Sequence, residues 1–300
     1  MPVDDLRLIG AGLSSAAWFV RSGDRRLALR IATEPAAPLN RYAGEHAILA
    51  RLVTRGVLVP EPVTGSWEIA RWPGPSFSLT TFLAGVPLQP AALESAAGEI
   101  ATFLVKLRSV PTIGFGPIGP LSAGEPVQGI ATDPISGLGA WMAGAPLWPF
   151  DQSRLEAHPA LIDRAALRSE IARWRSTIES AGRTRPAVLV HSDLHEENIL
   201  DTRDRPDGRR LAFIDFGEAF IGAAGWDEAA LAYFLGWPLA DRVHVLAGTG
   251  RAASRSGPRS IAALGVSFGL YRWWQDRQRD VDDNVHAESF LRSALDRLRR

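Results

Sequence analysis

Two short segments of this 300-residue chain carry the residue types from which a reaction could be built. The first is Val190-His191-Ser192-Asp193-Leu194-His195-Glu196-Glu197-Asn198-Ile199-Leu200, where an Asp and, five positions on, an Asn sit between two apolar stretches that read as strands. The second, Ile214-Asp215-Phe216-Gly217, again stands at the end of an apolar run. Asp193, Asn198 and Asp215 are thereby presented at the ends of neighbouring short strands. Hard oxygen donors suit Mg²⁺, which keeps several waters and takes one or two protein carboxylates plus substrate phosphates. Phosphoryl transfer asks for that combination: a metal on the phosphates and one acid aimed at the attacking hydroxyl.

A second reading uses His191, Asp193 and His195. Residues at i, i+2 and i+4 of a strand share one face, and a His/Asp/His set can hold zinc or iron, which would make a metal-dependent hydrolase or oxygenase. It leaves Asn198, Asp215 and the N-terminal seventy residues without a role. Taken singly, His195 reads as a polar residue filling the loop, and His191 as a packing residue against Phe216.

The elements that must position these groups divide unevenly along the chain. Leu6–Gly10, Ala17–Arg21 and Arg26–Ala32 read as strands, Arg41–Thr54 as a helix ended by Gly56, and Trp67–Trp72 as another strand closed by Pro73-Gly74-Pro75. Beyond that point the periodicity is helical, over Ala91–Val110, Leu161–Ala181, Ala229–Leu235, Arg259–Arg277 and Ala287–Arg299. Ala187–Val190 and Leu211–Ile214 interrupt the helices and read as paired strands. Pro111 to Phe150 is Gly/Pro-rich and aperiodic, and reads as a long loop of the kind that is functional or mobile. The pattern predicts a small β-rich lobe, a connection near residues 71–75 and a large helical lobe, with a cleft between them of the kind that ligands favour.

Composition narrows the chemistry. A hydrophobic fraction of 46% with 22% charged residues is that of a globular protein. Thirty-three basic residues balance 33 acidic ones, which argues against a nucleic-acid binder relying on excess positive charge. The absence of Cys removes disulfides, thiolate nucleophiles and zinc–thiolate sites. The basic set is 32 Arg and one Lys, so any Schiff base or phosphate-binding ammonium would have to be Lys106. The start, MPVDDLRLIG, has two acids before its first base and no apolar stretch, so no secretory leader is expected there. The uncharged run Pro134 to Phe150 is broken by three Pro and three Gly and predicts no membrane span; the expected location is the cytoplasm, with no membrane partner.

His191-x-Asp193-x4-Asn198 and Ile214-Asp215-Phe216-Gly217 together resemble the catalytic loop and metal-binding motif of the aminoglycoside phosphotransferase and choline kinase superfamily, small-molecule relatives of protein kinases. The resemblance implies an α+β, bilobal, protein-kinase-like fold, with a nucleotide-binding lobe over residues 1–72 and a mainly helical lobe with the acceptor site over 73–300. It implies Asp193 as catalytic base, Asn198 and Asp215 as ligands of Mg²⁺, and ATP or GTP as phosphate donor. Gly10-Ala11-Gly12-Leu13-Ser14-Ser15 sits where the family has its phosphate-covering loop, which sets Gly10, Gly12, Ser14 and Ser15 at the nucleotide. Arg30 occupies the place of the third-strand cation, usually Lys, and Glu45 that of its helix partner. Ile69-Ala70-Arg71-Trp72-Pro73-Gly74 resembles the linker whose backbone holds the adenine, which sets Ala70 at the nucleotide, and Gly225-Trp226-Asp227 resembles the Asp-containing segment after the metal motif.

Only nine residues, Gly217 to Gly225, separate Phe216 from Trp226, and no Ala-Pro-Glu follows, so a peptide-docking platform does not fit and the acceptor is expected to be a small molecule with a hydroxyl. Asp276, Asp280, Asp282 and Asp283 are interleaved with Arg272, Arg277 and Arg279 and read as a solvated helix end before a polycation site. Trp141, Trp148, Trp226, Trp237, Trp273 and Trp274 could cage a choline, although core packing is their default role. The apolar run Ile135–Trp148 reads as a flexible roof favouring a bulky, partly apolar acceptor, and Glu218-Ala219 resembles hygromycin and macrolide kinases. The expectation is an ATP-dependent phosphotransferase acting on an aminoglycoside- or macrolide-like antibiotic, with resistance as the consequence, working as a monomer or homodimer. A metabolite kinase for choline, a sugar or an amino alcohol is the alternative. A pseudokinase would have lost one of Asp193, Asn198 and Asp215, and all three are present.

Overall fold

Three consecutive antiparallel segments begin the first sheet: β1 (Asp5–Ala11), β2 (Ser15–Ser22) and β3 (Arg25–Ala32). Gly23 makes the two-residue turn between β2 and β3 with a φ of 59°, a conformation open to glycine at little cost. The helix α1 (Leu39–Thr54) follows, and β4 (Pro62–Gly65) and β5 (Phe77–Thr81) complete a sheet of order β1-β2-β3-β5-β4. The computed structural model describes residues 2–11, 15–33, 39–69, 71–119, 126–141, 158, 161–202, 211–248, 257–278 and 284–300. The sheet extends to Thr81, past the composition change at residue 72.

The expected strand at Trp67–Trp72 is not formed. A 3₁₀ turn over Ser66–Glu68 takes its place, and Arg71 adopts a φ of 59°. The cause is tertiary packing: Trp67 folds back over Gly65, where any side chain would overlap its ring, and meets the His46 ring edge-on at 4.6 Å. That contact outweighs the strand preference of the aromatic and β-branched residues.

The remainder is α-rich, so the α+β arrangement expected is the one observed. In chain order it comprises β6 (Val86–Pro87), α2 (Leu93–Arg108), β7 (Thr112–Ile113), β8 (Phe115–Ile118), β9 (Val127–Ala131), α3 (Pro134–Trp141) and α4 (Ala165–Thr184). Then come β10 (Ala187–Val190), β11 (Ile199–Asp201), β12 (Leu211–Phe213), β13 (Phe220–Ala223), α5 (Trp226–Leu235), α6 (Trp237–Ala247), α7 (Pro258–Gln278) and α8 (Asn284–Arg299). Among the described residues no helix is long and apolar enough to cross a membrane.

Three expectations need correction. The stretch from Pro111 onward is not an aperiodic loop: β7, β8, β9 and α3 occupy much of it, and Gly114 and Gly116 supply positive φ angles of 76° and 86°. Gly129 and Gly137 lie so close to the Phe115 backbone that a Cβ would overlap it, so glycines that look like breakers are the condition for this tight packing. Ile135–Trp141 therefore belongs to a helix, with Leu138 buried in the core, and not to a loose roof; the rest of that run, through Trp148, lies outside the described residues. Second, Ala187–Val190 and Leu211–Phe213 do not pair with each other. β10 pairs with β13, while β12 pairs with β11, so the two motif-bearing strands belong to different small sheets. Third, Trp237–Ala247, for which the sequence predicts no element, is the helix α6; its Pro238 is compatible with the first turn of a helix, and Leu239, Ala240, Val243 and Ala247 bury one face.

Beneath the Val190–Leu200 segment an aromatic stack joins these pieces. Phe103 of α2 lies flat on Phe213 of β12, 3.7 Å between centroids, and meets His191 and Phe216 edge-on. Phe103→Ala should lower the unfolding free energy in urea by about 3–5 kcal/mol, whereas Phe103→Leu should cost less than half of that.

Candidate active site

The register of the first sheet sets the N-terminal half of the site. Arg30 stands opposite Ala17, and Ala17 opposite Gly10, so Gly10 and Arg30 share one cross-strand row. Ser15 begins β2 on the same hairpin. Gly12, Ser14 and Ala70 lie outside the described residues. On the other side of β3, Arg30 pairs with Ser78, whose hydroxyl is 2.8 Å from His46 Nε2. Burial pushes His46 down to about 4, so the ring is neutral and serves to dock α1 on the sheet.

That docking places Glu45, one residue earlier, against Arg30. Arg30 Nη1 donates to Glu45 Oε1 at 2.7 Å, and Arg30 Nη2 donates to Asp215 Oδ1 at 2.9 Å. Burial alone would weaken the charge on the guanidinium, but Glu45 and Asp215 more than offset it and raise its pKa. Glu45 Oε1 also accepts from the Phe216 amide at 3.2 Å. The cation expected on the third strand and its helix partner are thus brought together, and both are tied to the second motif. Asp215 sits in the left-handed region, φ 59°, and its Oδ1 accepts from the Gly217 amide at 3.3 Å, the local bond that lets an Asp hold that conformation.

The first motif begins where β10 ends. His191 is fully buried; its Nε2 is 2.9 Å from the Ile214 carbonyl and its Nδ1 accepts from the Asp193 amide at 3.3 Å. Burial keeps the ring neutral, so Nε2–H is the donor to Ile214. Its ring centroid is 4.5 Å from that of Phe216, the packing role read from the sequence. Both ring nitrogens are engaged by backbone, which removes His191 from any His/Asp/His metal set. Among the described residues no cluster of three or more His, Cys, Asp or Glu is arranged to hold a metal ion.

Ser192 takes a φ of 72°, a strained choice for a non-glycine residue. Asp227 holds it there: its Oδ1 accepts from the amides of His191 at 3.0 Å and Ser192 at 2.9 Å, and Trp226 Nε1 donates to Ser192 Oγ at 3.1 Å. Asp227 and Glu228 are both fully buried. Burial pushes Asp227 up to about 7 against the pull of Arg108 and the two amides. Burial also opposes ionisation of Glu228, but its pairing with Arg108, helped by His244 at 3.5 Å, holds it down at about 2. The sequence marked Asp227 only by its place after the second motif; its partners are backbone amides, which leave no trace in residue types.

Asp193 emerges from this anchored turn. Its Oδ2 is 3.6 Å from His195 Nε2 and 3.3 Å from Asn198 Nδ2, and its Oδ1 is 3.6 Å from Arg272 Nη1. Burial works against ionisation, yet His195 and Arg272 hold the carboxyl below its ordinary value, so it is a carboxylate at neutral pH. Asn198 Nδ2 donates to the Asp193 carbonyl at 2.9 Å, which commits the amide nitrogen and leaves an oxygen as the donor the side chain can offer a cation. Asp215 keeps 42% of its side chain exposed. An amide oxygen and a carboxylate form a hard, incomplete donor set that fits Mg²⁺, an ion that completes its shell with water and phosphate.

Other expectations are rearranged. Trp226 and Trp273 are fully buried and Trp237 stacks on Phe290, so these three pack the core and form no cage. Of the four clustered acids only Asp276 is described, and it accepts from the Tyr233 hydroxyl at 3.4 Å.

A profile of the phosphotransferase enzyme family, APH, matches residues 5–264. The structure of aminoglycoside phosphotransferase APH(4)-Ia superposes with a TM-score of 0.67 at 20% identity, covering 99% of this chain and 94% of that one. A thermostable mutant of the same protein, in ternary complex with AMP-PNP and hygromycin B, gives 0.71 at 18% identity, covering 99% and 95%. The GDP and kanamycin complex of APH(2″)-IIia gives 0.64 at 17%, covering 98% and 94%. No curated protein matches the sequence.

Asp227→Ala should leave two buried amides without their acceptor and lower the urea unfolding free energy by about 2–4 kcal/mol. Asp227→Asn keeps an acceptor oxygen and should cost less than half as much.

Proposed function

Because the chain belongs to the phosphotransferase enzyme family, we propose that it moves the γ-phosphate of ATP or GTP to a hydroxyl of a small molecule, with an aminoglycoside- or macrolide-like antibiotic as acceptor and resistance as the consequence. The observation that carries the reading is the bridge from Arg30 to Glu45 and Asp215, together with Asp193 and Asn198 held to one another and His191 bonding the carbonyl just before Asp215. The antibiotic class draws support from structural neighbours that hold hygromycin B or kanamycin.

In this reading Arg30 meets the donor phosphates, its orientation set by Glu45. The hairpin carrying Gly10 and Ser15 covers them, and Gly12, Ser14 and Ala70 are assigned to the nucleotide by their place in the sequence. Asn198 and Asp215 would hold Mg²⁺, which when bound neutralises phosphate charge. Asp193 accepts a hydrogen bond from the acceptor hydroxyl, aims its oxygen at the phosphorus and takes the proton late. A depressed carboxyl is a weak base, so positioning and electrostatics supply most of the rate.

An ATP-consumption assay across aminoglycosides, macrolides, choline, simple sugars and amino alcohols tests this. Turnover of antibiotics is expected; turnover confined to choline or a simple sugar would exclude the antibiotic class. Asp193→Ala should lower kcat at least a thousandfold while ADP binding stays within about threefold; surviving activity would show that the base is elsewhere.

A further inference from the structure

The wall facing the catalytic loop carries a positive charge that the two motifs do not include. Arg272, on α7, reaches Asp193 Oδ1 with Nη1 at 3.6 Å, while its guanidinium lies over the Phe234 ring of α5, 4.9 Å from the centroid. Its side chain is 18% exposed, and Nε is buried with no hydrogen-bond partner. This is a held guanidinium, fixed by the aromatic face below it and by the carboxylate beside it.

We propose that Arg272 sets the charge class of the acceptor: the molecule that enters bears no positive charge beside its reacting hydroxyl and is uncharged or acidic there. The proposal rests on the phosphotransferase reading above and narrows it. An acceptor hydroxyl has to reach Asp193. A lone carboxylate there would attract an ammonium group, as a polycationic acceptor requires. Arg272 cancels that attraction and, at 3.6 Å from the same carboxylate, repels a second cation.

Among the described residues the other acids of the neighbourhood do not restore the balance. Asp215 is bound to Arg30, and Asp276, one turn further along α7, is turned to the Tyr233 hydroxyl at 3.4 Å. Glu196 and Glu197 are exposed to solvent in the 3₁₀ turn beyond His195. Phe234 offers an apolar surface beside the guanidinium, and its ring neighbours are Tyr233, Phe268 and, toward Asp193, His195 at 5.3 Å. A hydroxyl flanked by neutral or acidic groups and an apolar ring fits that wall; one flanked by ammonium groups does not. Among antibiotic-type acceptors this selects against polyamino sugars.

Calorimetric titration of kanamycin into the ADP–Mg²⁺ form of the wild type, Arg272→Gln and Arg272→Glu reads the effect directly. Kanamycin should bind the wild type weakest, Arg272→Gln tighter, and Arg272→Glu at least tenfold tighter than the wild type. Equal or weaker binding by both variants, including no binding by any of the three, overturns the proposal. ADP titrated into each protein first checks that the variants fold. Failure of the wild type itself to bind ADP would count against the phosphotransferase reading and not against the role of Arg272. In the acceptor panel, turnover of kanamycin by the wild type at or above the rate of every uncharged acceptor would also overturn it.

Discussion

One guanidinium touches two carboxylates that arrive from opposite ends of the chain's logic. Arg30 is a strand residue of the first sheet, Glu45 comes from the helix docked on that sheet, and Asp215 stands at the end of a strand among the helices. The planar fork of Arg can donate to both at once through different nitrogens, which the single ammonium of Lys does only by compromise. Glu45 also takes the Phe216 amide, so the three-way contact fixes the backbone of the second motif as well as its side chain. Breaking any partner would leave charge stranded in a half-buried cleft, which costs far more than a surface pair is worth. The position of α1, the orientation of the cation and the placement of Asp215 therefore depend on each other.

The first motif is held by a different device. Asp227 fixes a strained turn through backbone amides, and the neighbouring Arg108–Glu228 pair carries the buried charge so that Asp227 can serve as an acceptor. His191 spans from that turn to the Ile214 carbonyl, one residue before Asp215. Through it the two motifs share a hydrogen bond as well as the aromatic stack with Phe103. Asp193 is thus presented from a rigid support, while its own oxygens face His195, Asn198 and Arg272. Rigid support is what a mechanism based on positioning needs.

How much of this could be read in advance follows from the range of each interaction. The motif residues stood out because their types and spacing lie within a few positions of one another, and Arg30 with Glu45 only because the resemblance to the kinase superfamily put them at the third-strand cation and its helix partner. The β1–β3 meander and the main helices followed from periodicity. Gly114, Gly116 and Gly129 concealed β7 to β9, since residues that break regular structure locally are here required by the close approach of backbones. Strand partners went wrong because a four-residue apolar run does not specify which of several neighbours it will join. Arg272 was noticed only as part of a mixed charge run, because a contact between α7 and Asp193 has no sequence period to reveal it.

The account stands on the fork of Arg30, and the single lysine of the chain, Lys106, offers no substitute, being bound to the Gly56 carbonyl on an exposed turn. The most direct measurement is the affinity for Mg²⁺–ATP of Arg30→Lys beside Arg30→Ala and the wild type, followed by calorimetry. The account predicts that Lys, keeping the charge and losing the double contact, weakens binding at least tenfold, and that Ala weakens it further. Binding by Arg30→Lys equal to that of the wild type would contradict it, and would mean that charge alone, and not the bridge between Glu45 and Asp215, organises the site.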